Sequence, residues 1–493
     1  MNEQGMPYMI SNIQGLISKF KSQEIHVERS VDVLVIGSGP GGYVAAIRAA
    51  QLGFKTAVAE RAETGGICLN WGCIPTKSLL KSVQALHYVR HAADYGVRIR
   101  GAATPGISEI VIRSRKVAAD MREGVAFLLK KNKVELIPGT AVFNADKSVT
   151  VTSANGDQQT LRAKHTIIAT GARANSLPFA PIDGKKIIGY REALVPVVSP
   201  RSMAVIGSGA IGCELAWFFH HIGTEVTLIE TMEAIAPLED ADVSAQLSRS
   251  FRKAGIKVMT SARVVRADTS GAGCTLIIRT KKGEEKLCAT VALSATGITA
   301  NIENIGLEDA GVALERGRIK VDEYFRTNVE GVYAIGDVIA TPALAHVASA
   351  EAVVCVEHFA GRPVSPIDYD NIPSCMYTTP ETASVGLTEK AAREKGYKIR
   401  IGKFPFTASG KAATAGNKEG FAKLIFNADD DTLLGAHLIG DNVTEMIAGL
   451  IIARRLRATA RDITCAIHPH PSMSEAIMEA AANTHGAMIN CFS

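Results

Sequence analysis

Two cysteines, Cys68 and Cys73, stand five positions apart in the segment GGICLNWGCIPTKSLLKS, with Pro75 just beyond the second. If this stretch opens a helix, the spacing sets the sulfurs about one turn apart, within reach of a disulfide. Closing so small a ring gains little stability from chain entropy, so a purely structural bond is weakly motivated. A zinc site would need more ligands at short spacing, and none follow, so no metal is expected. A reversible dithiol remains. It works through its thiolate, and a free thiol with a pKa of about 8.5 offers little of that form at neutral pH without a base nearby.

A candidate base lies near the other end of the chain. Of the twelve histidines, most are like His87, His91, His220 and His221, in ordinary helical or surface contexts. In ITCAIHPHPSMSEAIMEA, His468 and His470 are each followed by proline, which fixes the backbone and suppresses a local helix. Glu475 comes five residues after His470, on the helix those prolines lead into. A carboxylate there can accept the proton of the far ring nitrogen and hold the tautomer. His468 alone reads as a turn residue, whereas His470 with Glu475 reads as a base and its orienter.

The elements that must position these groups repeat one plan. From residue 31 the chain runs VDVLVIGSGPGG, an apolar strand ending in Gly37, Gly39 and Gly42, then a helical AAIRAAQLG and a second strand, KTAVAE, closing on Glu60. The first glycine allows a tight turn, the second lets backbone approach a pyrophosphate, and the third lets helix and strand pack closely. Glu60 lies 23 residues past Gly37, where a carboxylate accepts from ribose hydroxyls. SMAVIGSGAIGCELAWFFHHIG repeats the pattern with Gly207, Gly209 and Gly212, and TEVTLIE ends on Glu230, again 23 residues past its first glycine. Each copy is closed by a similar strand, HTIIATG with Thr170 and Gly171, and TVALSATG with Thr296 and Gly297. Two fingerprints in register imply two dinucleotides. At the second, a 2′-phosphate would meet Glu230, and TMEAIAP beyond it offers no Arg or Lys, so NAD is preferred over NADP.

The fold class expected is α/β, with two Rossmann-like dinucleotide-binding domains and a C-terminal α+β unit. The boundaries read as a leader over 1–30, a first dinucleotide domain with the cysteine pair over 31–175, and a second over 176–300. A further part of the first follows over 301–369, and the α+β unit covers 370–493. In that last unit FAKLIFN and LLGAHLIG read as strands, TEMIAGLIIARRL and MSEAIMEAAANT as helices. VYAIGDV is a strand ending on Asp337, at a carboxyl edge where open sheets bind ligands. In the leader, Ile10, Ile13, Leu16, Ile17 and Phe20 share one helical face.

Composition excludes several classes. The 54 Lys and Arg against 49 Asp and Glu leave only +5 over 493 residues, with no basic cluster, which argues against nucleic acid as a partner. No run reaches 18 apolar residues, so no membrane span is expected, and the leader lacks the features of a secretory signal. Nine cysteines at mostly irregular spacing suit a reducing, cytoplasmic compartment, where one close pair is catalytic sooner than structural.

From about Val31 to the end the sequence resembles the dihydrolipoamide dehydrogenases, within the class I pyridine nucleotide-disulfide oxidoreductases. The matching pieces are GSGPGGYVAA, GGICLNWGCIPTKSLL, GSGAIGCELA, FRTNVEGVYAIGDV, YTTPETASVGLTE and HPHPSMSEA. The resemblance implies FAD along Gly37, Gly39, Gly42, Glu60, Thr170, Gly171 and Ala345, with Asp337 on its ribityl chain. NAD is implied along Gly207, Gly209, Gly212, Glu230 and Gly297. Cys73 would be the thiol beside the flavin and Cys68 the one exchanging with substrate. Lys77 would stand near the flavin, paired with Glu214. His470 and Glu475 would come from the other subunit of a homodimer, whose interface is the last domain. The implied reaction oxidises dihydrolipoamide on a lipoyl-bearing carrier, a 2-oxoacid dehydrogenase core or a glycine-cleavage H protein, and reduces NAD.

The sequence also departs from that family. Ile298 stands where an Arg is usual, the helix expected from Val347 lacks the family's charged start, and the leader is longer than usual. Glutathione- or trypanothione-reductase-like enzymes share both cysteines but favour NADP and end differently past the His. A mercuric reductase would want paired C-terminal cysteines, and only Cys491 is there. A non-catalytic scaffold subunit would need neither CLNWGC nor HPHPSMSE.

Overall fold

The computed structural model describes residues 27–491, so the leader helix expected around Ile10 to Phe20 lies outside the described residues. The chain divides into two compact units, each assembled from three separated segments.

The first unit gathers residues up to 66, 122–172 and 300–367. Its seven-stranded sheet is parallel at its centre. Val27–Ile36 lies between Thr56–Glu60 and Gln158–Ile168, with Glu135–Pro138 outside Thr56–Glu60. Val332–Ala334 adds in parallel beside Gln158–Ile168, while Val149–Thr152 and Thr140–Phe143 extend that edge antiparallel. Val33, Leu34, Val35, Ile167 and Ile168 are wholly buried, as expected where a parallel sheet is covered on both faces. The helix Pro40–Gln51 packs on the helix Ala345–Phe359, and a Cβ at Gly41 would come within 3.2 Å of the Ala348 carbonyl oxygen. This second helix begins at Ala345, two residues before the expected Val347. Leu344 is extended and its carbonyl already accepts from Ala348 N–H.

The second unit gathers 67–121, 173–299 and 368–493. A five-stranded parallel sheet runs Lys257–Met259, Glu225–Ile229, Ser202–Ile206, Val291–Ser294, Ile187–Ile188. Beside it is a three-stranded antiparallel sheet over Arg263–Asp268, Cys274–Thr280 and Gly283–Ala289. The C-terminal sheet is antiparallel, ordered Ser374–Met376, Glu381–Gly386, Leu433–Gly440, Phe421–Asn427, Ile399–Pro405. The helices Val443–Arg455 and Glu475–Asn483 pack against this sheet. A Cβ on Gly402 would strike the Ala480 carbonyl at 1.7 Å, so only glycine lets the last helix approach so closely.

Candidate active site

The segment that carries Cys68 and Cys73 forms two helices rather than opening one. Gly66–Trp71 is one short helix, Cys73–Arg90 is the next, and the chain breaks at Gly72 with φ −145° and ψ −110°. The break changes the pair's surroundings without separating it. Cys68 ends up inside the short helix, while Cys73 becomes the first residue of an 18-residue helix, where unpaired N–H groups and the dipole favour a thiolate. Across the break the Cys68 thiol donates to Cys73. That bond, helped by Lys77 and opposed by burial, lowers Cys73 to about 7. The same bond, with burial, raises Cys68 far above the ordinary thiol range. One sulfur is therefore poised as the anion and the other as its donor.

Lys77, one turn further along this helix, places Nζ 3.0 and 2.9 Å from the two oxygens of Glu214. Glu214 sits on the helix Ala210–His221, its side chain 4% exposed, and also accepts from Tyr377 N–H at 3.0 Å. Lys77 Nζ lies 4.6 Å from the centre of the Tyr377 ring. A carboxylate so deeply buried needs both partners.

His470 Nδ1 is 2.8 Å from Glu475 Oε1, and Glu475 Oε2 accepts from Ser472 N–H at 2.8 Å. Burial works against the charge on Glu475, but Ser472 and His470 hold it below the ordinary range. A carboxylate only accepts, so Nδ1 carries the proton, and in the neutral imidazole Nε2 is the acceptor. The imidazole is 78% exposed and so open to a reactant, while its orienter is largely covered. His468 turns instead to its own backbone, Nδ1 to Ala466 O at 2.9 Å. Among the described residues no hydrogen bond joins His470 to either sulfur.

The two fingerprints build matching cradles. Gly37 and Gly207 have φ of +99° and +100°, and Cβ atoms on Gly42 and Gly212 would strike the carbonyls of Gly37 and Gly207 at 1.9 and 2.0 Å. Gly39 and Gly209 face open space and precede the helices Pro40–Gln51 and Ala210–His221, whose N-termini offer free N–H groups. Glu60 Oε2 accepts the N–H and hydroxyl of Ser38 at 2.8 and 2.6 Å. Glu230 Oε2 accepts those of Ser208 at 3.0 and 2.6 Å. Backbone clearance, helix terminus and anchored carboxylate all suit a dinucleotide.

The structure places the remaining predicted residues as follows. Thr170 exchanges bonds with Asn301 just before Gly171, which has φ +69°, and Gly297 has φ +103°. Ala345 opens its helix. Asp337 follows the strand Val332–Ala334 on a single 3-10 turn, and burial raises its carboxyl against the pull of Arg318. Ile298 begins the strand Ile298–Ala300, half-buried, with no charge to offer.

Several contributors were missed in the sequence. Ser38 and Ser208 recur at the same place in both GSG motifs, a signal that was present. Glu351 is wholly buried and accepts Gly336 N–H at 2.6 Å, fixing the turn that carries Asp337; nothing local marks it. Tyr377 and Arg115 are likewise known only from their contacts.

Comparison with known proteins agrees with this assembly. Residues 31–352 match the family described as pyridine nucleotide-disulphide oxidoreductase, and residues 372–481 match its dimerisation domain. A dihydrolipoyl dehydrogenase of Rhizobium etli is 45% identical, covering 94% of this chain and 99% of its own. One from Zymomonas mobilis is 46% identical, covering 93% and 99%. The crystal structure of LpdA from Mycobacterium tuberculosis superposes with a TM-score of 0.85 at 27% identity, covering 92% of this chain and 99% of its own. The match to a dimerisation domain supports a homodimer, and no helix among the described residues is long and apolar enough to cross a membrane. With a family match over most of its length and these relatives, the chain belongs to the pyridine nucleotide-disulphide oxidoreductases, as an enzyme that uses FAD and NAD.

Proposed function

We propose that this chain is a dihydrolipoyl dehydrogenase working through Cys68, Cys73 and His470. The observation that carries the reading is the pairing of the two sulfurs across the break at Gly72, with Lys77 beside Cys73, which lowers Cys73 and raises Cys68. In the oxidised pair, His470 of the partner subunit takes a proton from one substrate thiol on Nε2, while Glu475 steadies the charged ring. The substrate thiolate attacks Cys68 Sγ, the Cys68–Cys73 bond breaks, and Cys73 leaves as a thiolate. The second substrate thiol then closes on the first sulfur, expelling Cys68, which recovers a proton. Substrate leaves as the cyclic disulfide, and its two electrons stay on the cysteine pair. The first cradle, with Gly37, Gly39, Gly42 and Glu60, would hold FAD, and the second, with Gly207, Gly209, Gly212 and Glu230, would hold NAD; the flavin would supply two-electron chemistry that thiols alone lack. Lys77 contributes positive charge beside Cys73, and Glu214 keeps that charge in place.

The substrate is a lipoyl group on a carrier protein, either a 2-oxoacid dehydrogenase core or a glycine-cleavage H protein, in the cytoplasm. The test is steady-state reduction of NAD and of NADP by dihydrolipoamide. NAD should be strongly preferred, and Cys73→Ser and His470→Ala should each remove most of the rate. Full activity in Cys73→Ser would refute the mechanism.

A further inference from the structure

The turn between the two cysteines is gripped from outside by the helix Ile107–Lys131. Three consecutive residues near its start reach the redox segment. Arg113 Nη1 donates to the Ser78 carbonyl and hydroxyl at 3.1 and 2.7 Å, and the Ser114 hydroxyl to the Pro75 carbonyl at 3.0 Å. Arg115 Nη1 donates to the Asn70 carbonyl, while its guanidinium lies over the Trp71 ring, 4.2 Å from the centre. Asn70 and Trp71 lie between the cysteines, at the end of the short helix that stops at Gly72. A helix end leaves carbonyls outside its own ladder, and Gly72 brings no side chain to stiffen the joint. Arg115 answers both, with one planar group that donates in its plane and stacks on its face, a combination Lys lacks.

We infer that Arg115, acting with Trp71, is a positioning residue for the redox pair: it holds the Cys68–Cys73 turn closed, so that the sulfurs stay in contact when the disulfide is reduced. The inference rests on the reading of Cys68 and Cys73 as a redox couple. Its consequence is thermodynamic. The couple interconverts one disulfide, two electrons and two protons with two thiols, and the disulfide is favoured in proportion to the effective concentration of one sulfur at the other. A looser turn lowers that concentration and makes the pair easier to reduce. The hydrogen bond that lowers Cys73 also weakens, so the Cys73 thiolate becomes less stable.

The experiment equilibrates the folded holoenzyme in dithiothreitol redox buffers, traps thiols by alkylation and reads the Cys68–Cys73 state by mass spectrometry. The alkylation rate of Cys73 is followed against pH in parallel. In Arg115→Ala the effective concentration should fall about tenfold, a rise of about 30 mV in midpoint potential, with the Cys73 alkylation profile moved to higher pH. Arg115→Lys should recover little. A cycle with Trp71→Ala should be non-additive, because either change opens the same clamp. Arg191, whose guanidinium also lies near Trp71 at 5.1 Å, serves as the charge control. If Arg191→Ala moves the potential as much as Arg115→Ala, the effect is one of field and the positioning role fails. An unchanged potential and profile in Arg115→Ala, or strict additivity, also overturns it. If the wild-type cysteines never form a disulfide in any buffer, it is the redox reading itself that falls. Should Arg115→Ala not fold, the Trp71→Phe and Arg115→Lys shifts decide the matter in the same assay.

Discussion

Glu230 takes both the backbone N–H and the hydroxyl of Ser208 on one oxygen, at 3.0 and 2.6 Å, and its other oxygen accepts from Met232 N–H at 2.8 Å. Burial opposes ionisation, yet these bonds and Thr231 hold Glu230 below the usual carboxylate range. It therefore keeps its charge to lower pH than an ordinary glutamate does. A fixed anion at the strand end receives ribose hydroxyls and repels a 2′-phosphate. Glu230→Gln should cut the NAD over NADP preference in kcat/KM by about ten- to a hundredfold, the worth of ~1.5–3 kcal/mol for hydrogen bonds to a charged group. An unchanged ratio would show that discrimination lies elsewhere.

Cys73 owes its lowered value first to the Cys68 thiol and then, against burial, to Lys77. Removing either contributor should raise it from about 7. Iodoacetamide alkylation of Cys73, followed against pH, should show its midpoint rise in Cys68→Ser and, by less, in Lys77→Met. Among the described residues, the second variant also leaves Glu214 with the Tyr377 N–H alone, so it should melt earlier as well. A midpoint that falls in Cys68→Ser would contradict the direction of the bond between the sulfurs.

What was readable in the sequence is what local pattern determines. Both fingerprints, their terminal acids and the strands Phe421–Asn427 and Leu433–Gly440 formed where alternation and glycine spacing put them. The break at Gly72 was not readable, because one glycine in a helical pattern costs only ~1 kcal/mol and marks no boundary by itself. Arg115 and Asn70 are 45 positions apart, and Glu214 and Tyr377 are 163 apart; no periodicity links such pairs. The partners of His470 were half readable. Glu475 lies five positions away on a helix start, whereas the proposed approach of His470 to the sulfurs would require a second subunit, which no local pattern encodes.

Glu239 makes a prediction about pH and stability. It is half-buried as a residue, but its Oε2 is enclosed without a hydrogen-bond partner among the described residues, and burial raises its carboxyl to about 7. The folded state thus holds a proton that the unfolded chain releases at the ordinary glutamate value of 4.5. Its contribution to stability is complete below that value and fades as pH rises through about 7. Glu239→Gln keeps the neutral shape at every pH. It should match the parent in acid and unfold at higher urea near pH 8. The difference should reach at most ~3 kcal/mol, since each tenfold change in proton affinity is worth ~1.4 kcal/mol. Parallel stability profiles for parent and variant would assign the slope to another group.

The pairing of His470 with Glu475 yields the most discriminating prediction, because the base is proposed to serve the site built on the other subunit's cysteines. His470→Ala should lower dihydrolipoamide oxidation by about 10²–10⁴, the usual worth of a positioned general base. Glu475→Gln should cost less. Its amide would still reach Nδ1 but would set a donor against Ser472 N–H, where Oε2 now accepts at 2.8 Å. Neither loss tells which subunit the base serves. Mixed dimers do. In a heterodimer of a Cys73→Ser chain and a His470→Ala chain, exchange between subunits leaves one site with both defects and the other with none. Random reassociation of two inactive homodimers should then restore about a quarter of the parental rate, since half the dimers are mixed and each has one good site of two. If each chain used its own histidine, every site would carry one defect and mixing would restore nothing. Recovery on mixing, read as NADH formed from dihydrolipoamide, therefore separates a shared site from a self-contained one without any further structure.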